Sequence, residues 1–130
     1  MIRFLLGVVA TVGLLAGCAS VDGRAQAADA VAERLFAAID AGDGDAACAL
    51  LAPETERSVA EEQPCAEAIL DEDLPEPGQV TGTWVYGQQA QVKLTGDTVF
   101  LAVFPGGWRV VAAGCTPRGG GRPYDCEVEA

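Results

Sequence analysis

The chain has no histidine and no asparagine, a single lysine, and only 8 basic residues against 19 acidic ones. Without histidine there can be no Ser-His-Asp triad, no Cys-His pair and no imidazole-ligated metal site. Scarce positive charge excludes another class: at a formal −11, the surface repels nucleic-acid phosphates and anionic headgroups. No C-x2-C spacing occurs either, which removes the usual zinc-binding arrangements of cysteine. Apolar runs are short. The most extended, from Phe4 to Ala16, falls below the ~20 residues that a spanning helix needs.

That short run has a different meaning. Arg3 supplies a positive start, Phe4 to Ala16 an apolar stretch of signal-peptide length, and Leu15-Ala16-Gly17-Cys18 the small residues that precede a lipoprotein cleavage site. Residues 1–17 are therefore expected to be removed as a lipoprotein signal peptide. Cys18 would carry a diacylglyceryl thioether and, once its amine is freed, a further acyl chain. One acyl chain anchors marginally and two hold, so the expected partner is the extracytoplasmic face of the cell membrane, reached through lipid. Losing Arg3 with the signal makes the mature chain one unit more negative. The protein should stand off from the bilayer it is tied to.

Beyond Cys18 lie Cys48, Cys65, Cys115 and Cys126, an even number in an exported chain, which points to two disulfides. Four cysteines allow three connectivities. Nearest-neighbour pairing, Cys48 with Cys65 and Cys115 with Cys126, is expected because each pair falls within one structural region.

Residues 18–28 are small, polar and aperiodic and read as a lipidated tether, leaving 29–130 as a single domain. Val31, Leu35 and Ile39 then recur at helical steps, with Gly42 as the stop. Asp43 or Gly44 should cap a short helix over residues 45–51, with helical turns at 54–63 and 64–70. The period changes in the second half. Val80 to Tyr86, Gln89 to Leu94, Val99 to Phe104 and Trp108 to Ala113 are β-rich runs separated by Gly87, Gly96-Asp97 and Pro105-Gly106-Gly107. Helices first and an antiparallel meander second make an α+β domain.

The stretch Phe36-Ala37-Ala38-Ile39-Asp40-Ala41-Gly42-Asp43, followed by Ala46 to Leu51, resembles the opening of nuclear transport factor 2-like (NTF2-like) domains. The later strands with Gly107-Trp108-Arg109-Val110 look like that superfamily's last strands. Ala47-Cys48, Pro64-Cys65, Ala113-Gly114-Cys115 and Pro123-Tyr124-Asp125-Cys126 are in turn similar to segments of small actinobacterial lipoproteins. The resemblance implies a cone: a curved antiparallel sheet wrapped around the N-terminal helices, with room for an apolar pocket. Some enzymes of that superfamily pair a carboxylate base with a tyrosine, which would make Asp40 and Tyr86 the catalytic pair of a lyase or isomerase.

Other constellations are weaker. Glu54 to Glu76 holds nine acids and one base but lacks the spaced ligands of a calcium loop. Arg118-Gly119-Gly120-Gly121-Arg122 lacks the ending of a phosphate loop. Trp84, Tyr86, Phe100, Phe104 and Trp108 could line a ligand pocket or pack in the core. The expectation is a non-enzymatic envelope module binding a small apolar ligand or an exported protein, with no cofactor, metal or nucleic acid. A structural accessory role is the other reading.

Overall fold

The computed structural model describes residues 21–130; the expected signal peptide and Cys18 lie outside the described residues. Helix α1 (Val21–Asp40) presents Ala28, Val31, Ala32, Leu35 and Phe36 as one buried stripe at three- and four-residue steps. It begins earlier than the sequence pattern suggests, so most of the segment read as tether is helical. Its stop uses local chemistry. Gly42 adopts φ +70°, the Asp43 N–H donates to the Ala38 carbonyl at 2.9 Å, and the Gly42 N–H donates to Ile39 at 3.0 Å. This is a Schellman ending. Asp43 then starts α2 (Gly44–Ala49), its carboxylate accepting the Ala46 N–H at 3.0 Å. Two short helices follow: α3 (Pro53–Val59), with proline in its first turn, and α4 (Cys65–Asp71).

The sheet is a plain meander in the order β1-β2-β3-β4-β5, every neighbouring pair antiparallel. Its strands are β1 (Val80–Tyr86), β2 (Gln89–Leu94), β3 (Thr98–Phe104), β4 (Gly107–Thr116) and β5 (Asp125–Val128). Ala90, Val92 and Leu94 are buried on β2, alternating with Gln89, Gln91 and Lys93, so one face meets the helices and the other does not. Val99, Leu101 and Val110 continue the helix-facing side and join α1 and Leu51 in one core. The helical half is also stitched to β4 by backbone: the Ala52 N–H donates to the Val110 carbonyl and the Val110 N–H to that of Leu50, both at 2.8 Å. Thr55, fully buried, donates its hydroxyl to the Val111 carbonyl at 2.8 Å.

The expected NTF2-like cone is corrected by this sheet, which is open and uncurled. Each strand hydrogen-bonds to the next one in sequence, so the meander leaves both terminal strands apart and nothing closes it. The residues behind the resemblance describe a helix stop and a strand with tryptophan. Those are local features, and they do not dictate how strongly a sheet curls. No described helix is long and apolar enough to cross a membrane.

Both disulfides take the nearest-neighbour arrangement. Cys48–Cys65 ties α2 to α4, and Cys115–Cys126 joins two residues directly opposite each other on β4 and β5.

Candidate functional site: the outer face of the sheet

Strand register sorts the five aromatics into two groups. Trp84 lies opposite Gln91, which lies opposite Phe100, giving one row across β1, β2 and β3 on the side away from the helices. Tyr86, Gln89 and Ala102 form the next row. Trp84 and Tyr86 are 44% and 64% exposed, large apolar surfaces left in water. Trp108 does not join them: it packs against the core from the helix side, where the Arg24 guanidinium of α1 stands 5.4 Å from its ring centre.

Between these rows lies a groove of about 220 Å³, bordered by Tyr86, Gln91, Phe100, Ala102 and Val111. Tyr124, from the segment before β5, folds over one end. Its ring meets Phe100 edge-on at 5.1 Å, and its hydroxyl accepts from the Gln91 amide at 3.3 Å. Phe104 borders a neighbouring cavity, which shares Val111 with the groove. Lys93 holds its ammonium 5.8 Å from the Trp84 ring centre, placing one cation at the rim.

The candidate pair Asp40 and Tyr86 is not brought together. Asp40 borders a cavity between α1 and the start of β1, whereas Tyr86 borders the outer-face groove. Proton transfer needs both groups within reach of one substrate atom, and separate cavities do not provide that. The arginines of the glycine-rich segment are engaged locally: Arg118 pairs with Asp125 at 3.5 Å, and Arg122 donates to the Arg118 carbonyl at 2.7 Å. Among the described residues, no group of three or more His, Cys, Asp or Glu is placed to hold a metal ion.

One buried carboxylate escaped the sequence reading. Asp97 is 8% exposed and accepts three backbone N–H groups, from Thr98 at 2.7 Å and from Gly114 and Cys115 at 2.9 Å each. Burial raises its carboxyl above the ordinary value, while these three donors pull the other way. All three donors are main chain, and two of them belong to β4, so it braces the β2–β3 turn against that strand. The sequence signal, Gly96-Asp97, was that of a turn. No protein-family model, curated protein or solved structure matches the chain.

Proposed function

We propose that this protein is a lipid-anchored extracytoplasmic binding module whose outer sheet face receives an apolar side-chain group of an exported partner. The observation that carries this reading is the gathering of Trp84, Tyr86 and Phe100 on the outer face of the sheet, where the first two stand largely in water. Exposed aromatic surface of this kind marks interaction sites. Groove size favours a side chain over a free ligand: about 220 Å³ is below the ~300–1,000 Å³ of small-molecule sites. The anchor is supported by Leu15-Ala16-Gly17-Cys18 at the end of a signal-length apolar run.

Two measurements test the two parts. A photo-crosslinking phenylalanine analogue at position 86, in the native envelope, should give one dominant adduct that is absent when the analogue stands at the exposed position 67 on α4. Equal adducts from both positions, or none from 86, would overturn the surface assignment. For the anchor, intact-mass analysis should show the diacylglyceryl increment on the natural chain and none after Cys18→Ala.

A further inference from the structure

We propose that the free edge of β1, together with the acidic cavity at its start, is a strand-addition site for an extended peptide carrying an arginine or lysine. It is separate from the outer-face groove and does not depend on it. β1 is a terminal strand of the sheet, and no described element pairs with its other edge. Edge strands are normally blunted by charge or proline. Val80–Tyr86 reads VTGTWVY and has neither, in a chain of formal charge −11.

The one irregularity in β1 is a register shift between Val80 and Gly82. Such bulges re-aim side chains. Here the shift places Val80 opposite Leu94, on the helix-facing side, while Trp84 and Tyr86 keep to the outer one. Val80 and Leu94 join Phe36 of α1 as the apolar part of a cavity of about 520 Å³, which Glu33, Asp40 and Glu76 border with three carboxylates. None of the three takes part in the salt bridges formed among the described residues.

The cavity wall is held in place. The Gly96 N–H donates to the Pro77 carbonyl and the Thr95 N–H to that of Gln79, both at 2.9 Å, and the Gln79 N–H donates to Thr95 Oγ1 at 3.1 Å. Position 96 accepts only glycine, since a Cβ there would stand 1.9 Å from the Glu76 carbonyl oxygen.

A peptide laid along β1 would gain main-chain hydrogen bonds, and its alternate side chains would point to the helix-facing side. An arginine or lysine among them suits the cavity: its aliphatic stem lies on Phe36, Val80 and Leu94, and its cation reaches the carboxylates. A second copy of this chain is the poorer occupant. Two surfaces of charge −11 repel, and β1 offers no cation to the other copy's cavity.

Fluorescence anisotropy on the full chain tests this with three labelled peptides. One is an alternating Thr/Val heptapeptide with a central Arg, one carries Glu in place of that Arg, and one is the Arg peptide with alternate backbone nitrogens methylated. The Arg peptide should bind saturably and weaken with salt, and each of the other two should bind at least about tenfold more weakly. The Glu33→Gln/Asp40→Asn/Glu76→Gln variant, folded by circular dichroism, should lose affinity to the same degree. Phe100→Ala, which addresses only the outer-face groove, should leave binding unchanged. Equal affinity for the Arg and Glu peptides, tolerance of backbone methylation, or no saturable binding would overturn the proposal. So would self-association through β1 that excludes the Arg peptide. The peptide variants keep the test decisive even if the triple variant fails to fold.

Discussion

The carboxylate of Asp97 receives the backbone N–H of Cys115 at 2.9 Å, 18 residues along the chain. The adjacent Gly114 N–H donates to the other carboxylate oxygen, also at 2.9 Å. One side chain in the β2–β3 turn thus fixes the main chain of β4 beside the Cys115–Cys126 bridge. Asp97→Asn keeps the shape but turns an amide NH2 toward N–H groups that need an acceptor. It should lower unfolding free energy by about 1–3 kcal/mol, with Asp97→Ala at least as damaging. Urea titration followed by circular dichroism measures both.

Acidity should stabilise the fold within a limited range. Burial raises Asp97 above its ordinary 3.8, and Glu72 is raised above 4.5 by burial first and then by the neighbouring charges of Glu127 and Asp71. Over that interval the folded chain holds protons that the unfolded chain has released. The stabilisation is therefore fully present below the unfolded values and is lost as pH rises through the folded ones. Thermal scans should show Tm falling as pH rises above about 4, the ordinary carboxylate values that both groups exceed when folded. Glu72→Gln should flatten part of that slope.

Gly44 is a packing requirement. A Cβ on it would stand 1.9 Å from the Ala66 carbonyl oxygen, so a side chain there would force α2 away from α4. Gly44→Ala should cost about 1–3 kcal/mol, as overpacking does. Gly87, whose Cβ would meet nothing within 4 Å, is the control: there the positive φ alone should cost about 1 kcal/mol in Gly87→Ala. Denaturation midpoints of the two variants separate clash from backbone strain.

The two tryptophans should answer differently to truncation. Trp108 packs against the core and under Arg24, whereas Trp84 is 44% exposed. Trp108→Ala should cost about 3 kcal/mol and Trp84→Ala about 1 kcal/mol. The smaller stability effect leaves Trp84→Ala suitable for testing the outer face in a folded protein.

What the sequence reveals and what it hides follows from how local each cause is. β1 and β2 can be read to their ends, because alternation and the Gly87 and Gly96-Asp97 turns lie within the segments themselves. The stop at Gly42-Asp43 is equally local. β5 is different: of its four residues only Val128 is buried, and pairing with β4 across the disulfide makes it a strand. Asp97 looks like a turn residue until Gly114 and Cys115 arrive from β4. The start of α1 hid for a related reason. Residues 21–27 have little apolar periodicity, and that end is tied to the sheet by Arg24, which reaches both Trp108 and the Gly87 carbonyl. The uncurled sheet was the largest divergence, because a resemblance built from short segments carries no information about curvature.

The placement of the two bridges has a consequence for how the chain could be divided. Cys48–Cys65 closes within the helical half and Cys115–Cys126 within the sheet, and among the described residues no covalent bond other than the backbone crosses residues 73–79. A single cut in that segment would yield two pieces, each with its own disulfide. They would be held together by the α1 core, the Thr55 hydroxyl on Val111, and the main-chain bonds from Leu50 and Ala52 to Val110. The protein is thus laid out as a split pair, in which reassembly of two separately produced fragments would report directly on that seam.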